Sequence, residues 1–328
     1  MFIVTGGAGF IGSNVVAAIE DRLDAPVVVA DHLRQGGKWR NLAKRGLADL
    51  VAPDALPERL AAQRTGIRAI IHMGAVTSTT ETDADRMVEI NFRLSARLWS
   101  WCAAAQVPFI YASSAATYGD GQAGFDDVAT AEGLARFRPL NLYGWSKHLF
   151  DRWVVRQVAD RAPRPPQWAG LKFFNVYGPN EYHKGAQGSV VQRLFPEAKA
   201  GRAARLFTSH HPDYPDGGQM RDFVWVEDCV DVVLWLLDHP DVSGLFNVGS
   251  GRARSFADLA AAVYRAAGRE PQITYVPMPE AIRLQYQYFT EARLDRLRAA
   301  GYDRPATALE DGVSRYVRDY LDTPDPYR

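Results

Sequence analysis

The chain has 328 residues, enough to bury a large core in one large domain or two smaller ones. Its 38 Lys and Arg balance 38 Asp and Glu and its pI is about 7.1, so no global basic field is present to recruit nucleic acid or an anionic membrane, and a small molecule is the expected partner. Two cysteines, Cys102 and Cys229, lacking metal-type spacing, indicate a reducing compartment, and no apolar run reaches the roughly 18 residues that span a bilayer; the expectation is a soluble cytoplasmic protein without a metal.

In chain order, FIVTG (2–6), VVVADH (27–32), AIIHMGA (69–75), PFIYASS (108–114) and GLKFFNV (170–176) are expected as buried strands. Amphipathic stretches such as GSNVVAAIEDRL (12–23) and EINFRLSARLWSWCAAAQ (89–106) separate them, the rhythm of a parallel βαβ sheet. From about residue 177 the alternation loosens into loop-rich YGPNEYHKGAQGS (177–189) and TSHHPDYPDGGQM (208–220). The expected organisation is an α/β fold: a dinucleotide-binding domain over 1–176, with 221–242 returning to it, and a smaller substrate lobe from 177–220 and 243–328.

Gly6, Gly9 and Gly12 stand between the first strand and the first helix, where a pyrophosphate can approach unpaired backbone N–H groups. A tight turn alone also uses glycine, but the position directly after the first strand favours the dinucleotide. Asp31 ends the second strand 19 residues after Gly12, where an acid can bond the adenosine ribose, as NAD requires, or simply form a turn. Arg34, Lys38 and Arg40 follow; they either neutralise a 2′-phosphate, as NADP requires, or are solvated loop charges. Ser114 ends the fourth predicted strand, and Tyr143 and Lys147 share one helix face at i and i+4. Such a pair on its own is usually surface decoration. Beside a glycine turn and a strand-end serine, it reads as a base whose phenol is pulled down by the lysine, with the serine holding the reacting oxygen.

The motifs TGGAGFIG, YASSAATYG and YGWSK resemble the extended short-chain dehydrogenase/reductase superfamily, whose members largely modify nucleotide sugars on a doubly wound (Rossmann) parallel sheet with a second, smaller α/β lobe. More narrowly, GAVTSTTETD, FFNVYGPNEYHKG, RDFVWVEDCVDV, FNVGSGRARSF and LRAAGYDRP resemble the ADP-L-glycero-D-manno-heptose 6-epimerases of lipopolysaccharide core biosynthesis. The resemblance implies a cytoplasmic homo-oligomer that inverts C6″ of ADP-D-glycero-D-manno-heptose with a tightly held NADP, NAD remaining open. It implies Tyr143 and Lys184 as the two acid/base groups, although Lys184 is equally a type of residue found solvated. Cofactor contacts are carried over to Phe10, Ile11, Asp31, His32, Lys38, Gly74, Ala75, Asn91, Lys147 and Val176, and substrate contacts to Asn175, Lys184, Phe207, Arg221 and Tyr286. Arg221 can grip diphosphate oxygens or form an ordinary pair with an aspartate, and Tyr286 is ambiguous with Tyr288.

The chain departs from the family at Ala186 and Arg193, where serine and histidine are common, and in longer segments after Phe207 and between Tyr118 and Tyr143. Ala115 and Ala116 occupy the positions where 4,6-dehydratases carry an acidic pair, which argues against elimination. A UDP-hexose 4-epimerase keeps the Ser–Tyr–Lys set but leaves Lys184 unexplained. A non-catalytic nucleotide-binding protein has no use for a phenol base.

Overall fold

A computed structural model describes residues 1–63, 65–283 and 286–328. The first six strands are β1 (Phe2–Thr5), β2 (Val27–Ala30), β3 (Asp49–Val51), β4 (Ala69–His72), β5 (Phe109–Ser114) and β6 (Trp168–Phe173). They are followed by β7 (Asn175–Tyr177), β8 (Ala204–Phe207), β9 (Met220–Trp225), β10 (Gly244–Val248), β11 (Ala253–Ser255) and β12 (Ile273–Val276). Seven of them form one sheet in the order β10-β6-β5-β4-β1-β2-β3, parallel throughout. The order reverses between β1 and β4, so the carboxyl ends of β1, β4 and β5 border the crevice where such sheets bind ligands.

Each central strand is an apolar run because both its faces are covered. On one face, helix Phe10–Leu23 lays Val15, Val16 and Ile19 against Val230 and Val233 of helix Val226–Asp238. On the other, Trp99 meets Phe109, Trp153 and Trp168 edge-on at ring separations of 5.8–6.3 Å. Each such side chain contributes about 1.5–3 kcal/mol of burial. Helix Leu142–Ala159 starts where the Asn141 side chain accepts the Gly144 amide, and it buries Phe150 and Val154 one turn apart.

Three expectations change. Asp49–Val51 is a short edge strand that shows only half-burial, too weak a pattern to stand out in the sequence. GLKFFNV does not continue as one strand: β6 ends at Phe173, and β7 leaves for a three-stranded sheet with β9 and β11. Residues 244–248, expected in the second lobe, pair instead with β6 as the last strand of the main sheet, because Leu245, Phe246 and Val248 are needed to cover its far edge. Beyond the main sheet, β8 and β12 pair in parallel, and helices Val190–Lys199, Phe256–Ala266 and Leu309–Tyr316 share a separate apolar cluster. No helix among the described residues is long and apolar enough to cross a membrane. Cys102 and Cys229 are buried free thiols.

Candidate active site

The glycine turn is held by steric necessity. Gly6 has φ +66°, and a Cβ there would lie 2.5 Å from the Gly74 amide nitrogen; a Cβ on Gly12 would lie 2.2 Å from the Gly6 carbonyl oxygen. Gly9 caps helix Phe10–Leu23 without a side-chain bond, and the first turn holds no acid, so the positive end of the helix is free to meet an anion. These residues fit a dinucleotide pyrophosphate, which the turn would hold while the adenosine ribose lay toward Asp31.

Asp31 is itself engaged. One carboxylate oxygen accepts the Ala8 amide at 2.9 Å and the other the Lys38 ammonium at 2.6 Å, while Lys38 also reaches the His32 carbonyl at 3.2 Å. Gly74 and Ala75 follow β4 after Met73, and the Gly74 amide donates to the Thr5 hydroxyl. Asn91 lies beside the segment that follows β4. It is fully buried, its amide bonding Val76 in both directions and reaching the Ser146 hydroxyl at 3.0 Å, so it fastens the 74–76 segment to helix Leu142–Ala159 from beneath.

Ser114 ends β5, where its hydroxyl accepts the Ala116 amide at 3.1 Å, and it also contacts the Tyr143 phenol. One turn on, Lys147 is buried and donates to the Ala112 carbonyl at 2.9 Å. Burial pulls this ammonium down to about 8, against the Asp151 carboxylate. The phenol moves opposite to the expected direction: burial raises Tyr143 above its ordinary value, the Ser114 contact opposing and Asp151 reinforcing the rise. Lys147 is turned to a carbonyl, so Tyr143 stands as a phenol, a proton donor, in the protein alone.

Asp151 is a residue that motif reading missed. It continues the Tyr143–Lys147 face by one more turn and is fully buried with Lys172 of β6, the charges 2.5 Å apart. Ser113 and Tyr111 donate to the same carboxylate at 2.6 and 3.0 Å, and Lys172 also donates to Thr117 at 2.8 Å. Helix Leu142–Ala159, β5 and β6 are thereby locked together. The only sequence signal was Lys172, a single charge inside the apolar strand WAGLKF; Asp151 stands among other charges of its helix, Lys147 and Arg152.

Lys184 lies in the turn Tyr182–Gln187, its ammonium 5.3 Å from the centroid of the Phe10 ring in the glycine turn. Burial lowers its pKa, with Glu181 opposing. Ala186 and Arg193 are both exposed.

Val176 and Asn175 sit on β7, half-buried and exposed respectively, paired with Val224 and Phe223 of β9. Arg221 follows Met220 in β9, nearly buried; its guanidinium stands 5.2 Å from the Tyr286 ring and 5.6 Å from Phe256, and it has no carboxylate partner among the described residues. Phe207 meets Tyr286 edge-on at 6.5 Å. The long 208–219 segment adds rings here, with His211 and Tyr214 packed 5.1 and 5.5 Å from Tyr288, which in turn lies 5.3 Å from Tyr286. Phe207 and Tyr286, both half-buried, thus form one wall with the buried Arg221 guanidinium against the Tyr286 ring. A buried cation without a counter-ion, among aromatic faces, suits a nucleoside diphosphate. No group of side chains that could hold a metal occurs among the described residues.

Residues 2–249 match the family described as the NAD dependent epimerase/dehydratase family. The chain is 50% identical over 330 residues, covering 100% of both chains, to an ADP-L-glycero-D-manno-heptose-6-epimerase of Nitratidesulfovibrio vulgaris. It is similar to the crystal structure of the Helicobacter pylori ADP-L-glycero-D-manno-heptose-6-epimerase, with a TM-score of 0.80 and 27% identity over 97% of this chain and 95% of the other. The Thermus thermophilus UDP-glucose 4-epimerase in complex with NAD matches with a TM-score of 0.74 and 26% identity, covering 95% and 96%.

Proposed function

The chain belongs to the NAD dependent epimerase/dehydratase family, and from this premise we propose that it inverts C6″ of ADP-D-glycero-D-manno-heptose to give the L-glycero epimer. What supports the reading is a pair of ionisable groups of opposite character: Tyr143, a phenol in contact with Ser114 at the carboxyl end of β5, and Lys184, whose ammonium lies 5.3 Å from the Phe10 ring of the glycine turn and is made easier to deprotonate by burial. The full-length likeness to heptose epimerases supplies the substrate.

A nicotinamide dinucleotide held by the glycine turn and Lys147 would supply reversible hydride transfer at C6″, and would not be consumed. Ser114 holds the reacting oxygen. In one half-reaction Lys184, as the free amine, takes the hydroxyl proton; in the other Tyr143 gives a proton to the new alkoxide; proton exchange with solvent then returns Lys184 to the amine and Tyr143 to the phenol, and the roles exchange in the reverse direction. Lys147 holds the nicotinamide ribose from its buried position on the Tyr143 face. Arg221 grips the diphosphate, with Phe207 and Tyr286 against the nucleoside. C6″ lies outside the pyranose ring, so rotation of the exocyclic arm presents both faces without turning the sugar over.

NADP is the form we assign to the site. Lys38 already compensates Asp31, and Arg34 and Arg40 stand on the same loop, so a 2′-phosphate adds charge where cations are in excess. Two free buried thiols accord with a cytoplasmic location. The deciding assay incubates one cofactor-loaded preparation with ADP-D-glycero-D-manno-heptose and, separately, UDP-glucose, and resolves the products by NMR. Heptose inversion with little hexose conversion is expected; efficient UDP-glucose/UDP-galactose interconversion without heptose turnover overturns the assignment.

A further inference from the structure

The glycine turn and the Lys184 turn are far apart in sequence, yet one side chain joins them. Asn41 is buried at the end of the short helical turn Gly37–Leu42. Its Nδ2 donates to the Ala8 carbonyl at 2.9 Å and to the Asn180 carbonyl at 2.9 Å, with His183 Nδ1 at 3.2 Å. An amide NH₂ carries two donors and so can meet two carbonyls at once, whereas a carboxylate would repel both.

The Asn180 side of the contact is built to receive it. Asn180 adopts φ +72°, a left-handed conformation that asparagine tolerates better than other side chains, and it is fully buried. Its own side chain donates to Ser13 Oγ at 3.0 Å, and Asn14 donates to the Pro179 carbonyl at 3.0 Å. Residues 179–180 are therefore fastened to the first turns of the helix that follows Gly9. Lys184 comes four residues later, its backbone N–H donating to the Glu181 carbonyl and its ammonium over Phe10.

We propose that Asn41 is a positioning residue that clasps the glycine turn, through Ala8, to the Lys184 turn, through Asn180, so that the dinucleotide seat and the lysine keep one register. The proposal rests on the reading of Lys184 as an acid/base group. Seating the dinucleotide orders the Ala8 side of the clasp and thereby the lysine; freeing the clasp loosens both. Asn41 itself touches no reacting atom.

The test uses the holoenzyme. Asn41→Ala is expected to lower kcat on ADP-D-glycero-D-manno-heptose about 10–100-fold with KM within about threefold, the signature of a misplaced acid/base group. Loaded with NADPH or NADH, it is expected to release the dinucleotide about tenfold faster, read from the loss of bound nicotinamide fluorescence. At position 180, Asn180→Gly is expected to cost less kcat than Asn180→Ala, because glycine keeps the left-handed backbone that aims the carbonyl at Asn41. Wild-type kcat and release rate in Asn41→Ala overturn the proposal, as does a loss confined to KM.

Should Asn41→Ala fail to fold, wild-type protein carries the test. Stripping the dinucleotide must speed hydrogen exchange at residues 181–187 along with residues 6–12, and unchanged exchange at 181–187 overturns the clasp. Lys184→Met, run in parallel, separates the two readings. If it retains full turnover, the acid/base role of Lys184 falls, and the clasp then stands or falls on release rate and exchange alone.

Discussion

Lys38 places its ammonium 2.6 Å from the Asp31 carboxylate, whose second oxygen is taken by the Ala8 amide. An acid at this position ordinarily selects against a 2′-phosphate; an acid already paired with a cation does so much less. Protein purified without supplementation is expected to release NADP on denaturation, identified by mass. Lys38→Ala should carry NAD in place of NADP or lose dinucleotide altogether. Release of NAD alone from the wild type, with Lys38→Ala unaltered, removes the assignment of NADP.

Tyr143→Phe and Lys184→Met are each expected to lose about 10²–10⁴-fold in epimerisation rate while keeping the fold and the bound dinucleotide, the usual cost of deleting a positioned acid or base. The rate is read by NMR and the cofactor by absorbance. Near wild-type turnover in Lys184→Met leaves Tyr143, or water, to serve both faces.

Arg221 has aromatic neighbours and no carboxylate among the described residues, so its charge is available to a diphosphate. Arg221→Ala is expected to raise KM about tenfold or more with a smaller change in kcat, because it grips a part of the substrate that does not react. Arg221→Lys should recover only part of the loss, since an ammonium lacks the planar fork. A fall in kcat at constant KM would place Arg221 at the chemistry instead.

Asp127 is buried under the Asn247 amide, and burial raises its carboxyl from 3.8 to about 6, the Asn247 bond and Arg296 opposing. Between about pH 4 and pH 6 the native protein holds a proton that the unfolded chain has released. This contribution to stability is complete below about pH 4 and is lost as pH rises through 6, a swing of about 3 kcal/mol. Asp127→Asn removes the titration. Relative to wild type, its Tm should be higher at pH 7.5 than at pH 4.5; an equal difference at both pH values would falsify this account.

Much of the crevice was legible in the sequence because its parts carry local signatures: a glycine turn directly after an apolar run, and Tyr143 and Lys147 at helical spacing. The direction of the Tyr143 shift was not legible, since it depends on how deeply the ring is buried and on where Lys147 points. Asn41 and Asn180 were equally silent: an asparagine in a polar loop looks the same whether it faces solvent or donates to a carbonyl 139 residues away in sequence. Residues 244–248 were misassigned because membership of a sheet is decided by the edge that needs covering, which short-range periodicity does not report.

The Asp151–Lys172 pair has a historical consequence. Two well-packed apolar residues in its place could be as stable, but any lineage moving there one substitution at a time must pass through a protein with a single orphaned charge, at about 3–5 kcal/mol. Against a total stability of about 5–15 kcal/mol, that intermediate is close to unfolding. The pair is therefore expected to persist or vanish as a unit among descendants of this sequence, whatever happens to the specificity of the pocket above it, and a substitution at residue 172 alone would be read by selection as a folding lesion long before any change in chemistry could be tried.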